Sequence, residues 1–287
     1  MQRLKFINAR GFEVEFLSQD PFVIWKLDGI SIPPVEPVFT QSVGQSGYTL
    51  HDIVLDSRVI TLTGHVVDSG GDIKQMYAER RKLMSVLNPS LGVGKLIYEN
   101  DNGRWAIAAF CREAPYVDKV RSVTTLNISF ECPSPFWQDY EKTVVSLAYV
   151  EGGLQFPLRT PGFFGTLGYR AIVDNNGDSP AHMEIYIDGG SYNPTIKNKS
   201  TGEFIKVEKH LNTFDKLYIN TDPENLKVEL IETDGINETR SNAYGYLSFD
   251  STLFTLQPGE NELIFTSDDE NKKVKVRLIF KLLYAGV

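Results

Sequence analysis

The chain has 287 residues, a length that suits two domains, and its 41% apolar and 23% charged content is that of an ordinary globular protein. Its 29 basic and 37 acidic side chains give a net charge of −8, divided as 14 and 16 over residues 1–140 and 15 and 21 over residues 141–287. Neither part has the basic excess that drives phosphate binding, which argues against sequence-specific nucleic-acid recognition.

The opening MQRLKFINARGFEVEF lacks the apolar core of a signal peptide, and no run of 18 apolar residues predicts a membrane span. Residues 3–8 and 12–17 alternate as two short strands, and 21–29 gives a third. Residues 31–48, SIPPVEPVFTQSVGQSGY, carry three prolines with Gly44 and Gly47, which predicts an irregular extended arm. Val43, Gly44 and Gly47 are candidate inter-subunit positions within it. In RVITLTGHVV (58–67), Ile60, Leu62 and Val66 share one face of a strand and Thr61, Thr63 and His65 the other. Arg58 at its start is a candidate junction residue.

Residues 72–87 predict one helix, with Ile73, Met76, Tyr77, Leu83, Met84 and Leu87 as its apolar positions, Asp72 as cap and Asn88-Pro89 as stop. Arg80, Arg81 and Lys82 form a basic cluster on it, suited to solvent or to the acids of an adjacent subunit. Residues 95–111 predict a hairpin turning at Asp101-Asn102-Gly103. In the strand 123–132, Leu126, Ile128, Phe130 and Cys132 point to the core. A thiol there is poorly ionised and inert. Pro133 and Pro135 then end the strand, and Trp137 is expected to bury at a domain junction. Residues 152–168 read as a linker by composition, though Phe156, Leu158, Phe163 and Phe164 favour docking on a surface. From about 170 the chain is short strands and turns without a helix, the pattern of a β-sandwich or jelly roll.

No catalytic or metal constellation emerges. His51, His65, His182 and His210 lie at no metal-ligand spacing, and Cys111 and Cys132 form no framework, as in a reducing compartment. Gly92-Val93-Gly94 follows a helix stop and precedes a strand, so it is a turn, not a phosphate cradle. Glu184, Asp188, Glu229 and Glu232 supply carboxylates, but nothing in the sequence pairs them into acid and base. Tyr192, Tyr244 and Tyr246 lie in or beside turns and are candidate sugar-stacking rings. No cofactor is implied.

The order of these features resembles the distal tail protein family of long non-contractile-tailed bacteriophages and their prophages. The arm SVGQSGYTL, the strand DSRVITLTG, the helix end RRKLMSVLNP, the hairpin KLIYENDNGRWAIA and the ending CPSPFW follow that family's first half. SPAHMEIYIDGGSYNPTIKNKSTGEFIKV, KLYINTD and LFTLQPGENELIF follow its second. Relatives often carry an acid where Ser134 stands. The resemblance implies a mainly β fold with one α-helix: an N-terminal belt domain, a tail-tube-like β-sandwich plus helix, over 1–138, a linker or docking arm over 139–169, and a galectin-like β-sandwich over 170–287. It implies a non-enzymatic component of the virion's tail tip, assembled in the host cytoplasm. Six copies would form a ring joining the tail tube to the baseplate and would meet the tail tube protein, a tail-associated tip protein and receptor-binding proteins. DNA would pass through the lumen, which six chains of −8 would leave unattractive to it. The alternative is a carbohydrate-binding module acting on host-wall sugar through the C-terminal sandwich.

Overall fold

The computed structural model describes residues 2–17, 19, 21–66, 73–113, 116–120, 123–150, 168–233, 237–269 and 274–287. Two compact units emerge. Met1–Tyr140 together with Leu283–Val287 form the first, and Glu141–Leu282 form the second.

The first unit is built from β1 (Arg3–Ile7), β2 (Glu13–Phe16), β3 (Phe22–Asp28), β4 (Val35–Thr40), β5 (Thr49–Leu55), β6 (Arg58–Val66), α1 (Ile73–Val86), β7 (Gly94–Asn100), β8 (Gly103–Cys111), β9 (Tyr116–Val120), β10 (Val123–Cys132) and β11 (Trp137–Asp139). Its main sheet runs β2-β1-β7-β8-β10-β6-β3. A parallel bridge between Leu17 and Val23 brings its two edges together, so the sheet curls around one core and hides edges that would otherwise invite pairing. The alternation expected for the strand 58–67 is met: Ile60, Leu62 and Val66 are buried beside Leu126, Ile128, Phe130 and Cys132 of β10. Burying each such aliphatic side chain contributes about 1.5–3 kcal/mol. The hairpin turns at Asp101-Asn102, where Asn100 Oδ1 accepts from the amides of Asn102 (2.8 Å) and Gly103 (3.2 Å).

The helix packs through Met76, Leu83, Val86 and Leu87. Tyr77, expected in that apolar set, is half exposed, because one residue is about 100° of helix and carries it past the buried stripe. Asp72, the expected cap, lies outside the described residues.

The arm corrects the expectation of irregular backbone over 31–48. β4 and β5 pair as an antiparallel ribbon, with Val35↔Leu55, Glu36↔Val54, Pro37↔Ile53 and Val38↔Asp52 in register. Pro37 is tolerated because hydrogen-bonded and non-hydrogen-bonded pairs alternate. Asp56 N donates to Pro34 O (3.0 Å), so the Pro37 pair is of the non-hydrogen-bonded kind, and its nitrogen turns outward.

The second unit contains β12 (Thr143–Val150), β13 (Gly168–Asn175), β14 (Met183–Asp188), β15 (Ser191–Tyr192), β16 (Thr195–Asn198), β17 (Phe204–Lys206), β18 (His210–Leu211), β19 (Lys216–Asn220), β20 (Lys227–Thr233), β21 (Glu238–Asn242), β22 (Gly259–Thr266) and β23 (Lys275–Phe280). β12 pairs with β23 through Thr143–Leu147 and with β13 through Ala148–Val150. One strand thus belongs to two sheets, β12-β23-β14-β19-β20-β21 and β17-β16-β22-β13-β12, which close over one core as a sandwich. Within the segment 139–169, expected as a linker or docking arm, Val145 and Leu147 belong to a paired strand and pack into that core. Residues 151–167, including the four apolar residues expected to dock, lie outside the described residues. The last strand, β24 (Leu283–Tyr284), is back in the first unit, paired with β11.

Candidate functional site

Arg58 opens β6 directly after the arm and is 1% exposed. Its guanidinium fork spans carbonyls from three separated segments. Nη1 donates to the oxygens of Gly29 (3.1 Å), Ile30 (3.2 Å) and Ser31 (3.0 Å), where the chain leaves for the arm. Nε and Nη2 donate to Pro135 O at 2.9 and 2.6 Å, and Nη2 also reaches Ala285 O. Burial pushes the guanidinium down from its ordinary value, while the neighbouring Cys132 raises it. Among the described residues, no carboxylate hydrogen-bonds to it. The buried charge is satisfied by peptide dipoles, for which Arg's five rigid donors are suited and Lys's compact ammonium is not.

Trp137 completes this centre. It is fully buried, its ring centroid lies 5.7 Å from Arg58 Cζ, and Tyr98 lies 6.1 Å away on the other rings. β11 places it: Trp137 pairs with Tyr284, and Gln138 pairs with both Leu283 and Ala106. Val287 N donates to Ile30 O at 3.3 Å, so residues 284–287 lie along the root of the arm. The structure therefore brings Arg58 and Trp137 together, as one clasp inside the first unit. Its third member is the uncharged, apolar ending LLYAGV, expected within the sandwich domain over 170–287; from Leu283 onward it belongs instead to the first unit.

Cys132, opposite Arg58 in the β10–β6 register, is buried, and burial pushes its thiol up to about 12. Burial likewise pushes Cys111 up to about 11, and its Sγ donates to Glu113 O. Thiols held protonated in this way are poor nucleophiles and poor metal ligands, as expected for Cys132.

The other expected inter-subunit residues stand apart from the clasp. Val43 is fully exposed at the tip of the arm, where Gly44 and Gly47 adopt φ of +82° and +80°. The blade below exposes Val35, Val38, Phe39, Tyr48, Leu50, Ile53 and Val54. Among the described residues its only ring contact is internal, Phe39 against Tyr48 at 4.7 Å. Arg80 and Arg81 lie on α1, the first half-buried and the second exposed.

In the second unit, Tyr192 is half exposed beside His210, at 6.0 Å between rings, and its amide is held by Asp269 Oδ1 (3.1 Å). Tyr244 and Tyr246 share a short 3-10 turn, and the Lys209 ammonium covers one face of the Tyr246 ring at 4.5 Å. Three of the four candidate carboxylates are individually partnered: Glu184 with Lys142 (2.7 Å), Asp188 with Arg277 (3.0 Å) and Glu229 with Arg240 (3.6 Å). Tyr186, donating to Glu184, is pushed up to about 12, first by burial and then by that carboxylate. Among the described residues, no group of three His, Cys, Asp or Glu side chains could hold a metal ion, and no helix is long and apolar enough to cross a membrane.

Two family models match the chain: the phage tail protein RIFT-related domain over residues 12–132, and the Siphovirus-type tail component, C-terminal domain, over residues 176–282. No curated protein sequence matches it. Among solved structures, the SPP1 Dit protein, described as a paradigm of hub adsorption apparatus in Gram-positive infecting phages, superposes with a TM-score of 0.71 at 13% identity, covering 99% of each chain. A chain of the phage P2 baseplate in its activated conformation with Ca superposes with a TM-score of 0.53 at 12% identity, covering 100% of this chain and 99% of that one. At such identities the superpositions establish a shared fold, and the two matched models establish the lineage of both halves. The chain belongs to the distal tail protein family of siphophages, a structural component of the phage tail.

Proposed function

We propose that the protein is the ring-forming hub of a phage tail tip, six copies joining the tail tube to the baseplate. It acts as a scaffold, not as an enzyme, and assembles in the host cytoplasm before release in the virion. The observation that carries this reading is the arm: a two-stranded ribbon whose apolar side chains are exposed on both faces while its root is clamped by a buried arginine. Exposed apolar area of this extent on a protruding element marks a contact surface. A neighbouring copy is the partner that a closed ring supplies to every arm at once. The first unit would continue the tube, and the second would offer its sandwich to tip and receptor-binding proteins. Native mass spectrometry with negative-stain imaging tests the ring. A six-fold particle supports it, and a chain that stays monomeric at high concentration and does not enter tails overturns it.

The carbohydrate-binding alternative retains one favourable observation, the exposed Tyr192 ring beside fixed Asp268 and Asp269, with Asn193 Nδ2 donating to Asp268 Oδ2 at 2.7 Å. Wall-glycan binding that is lost in Tyr192→Ala would support it as an added property of the scaffold. Absence of binding to wall polysaccharide removes it.

A further inference from the structure

We propose that the acidic face of the arm of one copy docks on the basic face of α1 of a second copy. The proposal rests on the ring reading and names the two surfaces that meet in it.

Residues 31–57 contain Glu36, Asp52 and Asp56 and no Lys or Arg. The register sets Glu36, Val38, Asp52 and Val54 on one face of the ribbon, and Val35, Pro37, Ile53 and Leu55 on the other. The second face is wholly apolar. The first is a checkerboard, its two acids diagonal at roughly 7–8 Å and separated by two exposed valines. Among the described residues, Glu36, Asp52 and Asp56 have no basic partner in their own chain. Asp52 Oδ1 accepts only from the next amide, Ile53 N (2.8 Å), and Asp56 Oδ1 from Ser57 N (2.6 Å).

The helix is the reverse. α1 carries Lys74, Arg80, Arg81 and Lys82 against the single acid Glu79. Tyr77 is half exposed, and Arg80 and Arg81, three and four residues on, lie beside it on the same strip. Among the described residues, Arg80, Arg81 and Lys82 form no ion pair. Elsewhere in this unit, four surface bases are matched across strands: Arg3 with Glu15, Lys5 with Glu13, Arg104 with Glu99 and Arg112 with Glu131. Among the described residues of the first unit, the acids of the arm and Arg80, Arg81 and Lys82 of the helix are therefore unmatched charges of opposite sign on different elements.

Opposite charges left unmatched within a chain are complementary between chains. An arm-to-helix contact is heterologous, each copy giving its arm and receiving another, and such a contact closes into a ring when its rotation allows. Tyr and Arg are the residue types that concentrate binding energy at interfaces. Val38 and Val54 give Tyr77 an apolar seat between the two acids, and the charges fix the register of docking.

Three full-length variants test the contact by sedimentation and native mass spectrometry at low and high salt, with thermal melting to verify folding: Glu36→Lys/Asp52→Lys, Arg80→Glu/Arg81→Glu, and the four changes combined. Each double reversal is expected to weaken assembly roughly tenfold or more, and the combination to restore it. Assembly of the wild type is expected to weaken with salt. A second measurement avoids charge altogether. Asp52→Cys and Arg81→Cys chains, mixed under mild oxidation, are expected to give a disulfide-linked pair that neither gives alone, since both native cysteines are buried. Rings that form normally with either double reversal alone, or no linked pair from the mixture, overturn the docking and leave the ring reading standing. A wild type that neither assembles nor enters tails overturns both.

Discussion

The root and the blade of the arm are adjacent in sequence and opposite in physics. At the root, a full charge is buried, and its donors reach five backbone carbonyls drawn from residues 29–31, 135 and 285. On the blade, backbone pairs with backbone, and the side chains of both faces meet solvent. A lone two-stranded ribbon is marginal by itself, whereas a clasp of this kind is rigid. The chain therefore fixes where the arm departs and leaves what it covers to be decided outside the chain. The same contrast separates the arginines: Arg58 is structural because it is buried and saturated, and Arg80 and Arg81 are available because they are neither.

The sharpest way to break this contrast is Arg58→Ala. It leaves carbonyls unsatisfied in a dry site and should cost about 3–5 kcal/mol in urea denaturation. Arg58→Lys should recover only part of this, because an ammonium cannot span all five oxygens. A stability loss below about 1 kcal/mol for Arg58→Ala would show that the clasp does not hold the root. Gly29→Ala strikes the same root through the backbone. Its φ is +88°, and an added Cβ would sit 2.1 Å from Val59 O, so a loss of about 2–4 kcal/mol is expected by the same measurement.

Alkaline pH probes the core beside the clasp. Folded Cys132 and Cys111 hold their protons up to about 12 and about 11, against an ordinary thiol value of 9.0. Above pH 9 the unfolded chain releases these protons and the folded chain does not. Stability contributed by the thiols is complete below 9 and declines as pH rises toward 12. Cys132→Ser should flatten that decline. An unchanged slope would place the effect elsewhere. The smallest effect on stability is expected on the blade: Ile53→Ser should change unfolding by less than about 0.5 kcal/mol while impairing assembly. A large loss of monomer stability would mean that the blade is covered by its own chain.

Local signals carried much of this into the sequence. Period-two alternation gave β6 and β10, the Asp101-Asn102-Gly103 turn gave the hairpin, and the strand face of Cys132 gave its burial. The arm was legible as an element but not as a ribbon, because three prolines suggest disorder of pattern until the outward-facing register of Pro37 is known. The clasp was legible only in part. Arg58 and Trp137 stood out as residues, but their meeting depends on contacts across 77 and 227 positions of sequence, which no local pattern encodes. Tyr77 was misplaced by a single helical step. The acids of the arm went unremarked, since a charge gains meaning only when its surroundings show that nothing answers it.

β11 and β24 are hydrogen-bonded neighbours, so the points where the chain departs from the first unit and returns to it lie a strand's width apart. The second unit is topologically an insertion in a tight turn of the first. Two things follow for a growing polypeptide. The first unit cannot close its clasp until the whole sandwich has been synthesised, which delays a firmly rooted arm until residues 283–287 have followed it. And any domain whose ends lie about 5 Å apart, the spacing of adjacent strands, could be exchanged at this point without disturbing the first unit. The first unit can thus stay constant while the module it carries is replaced.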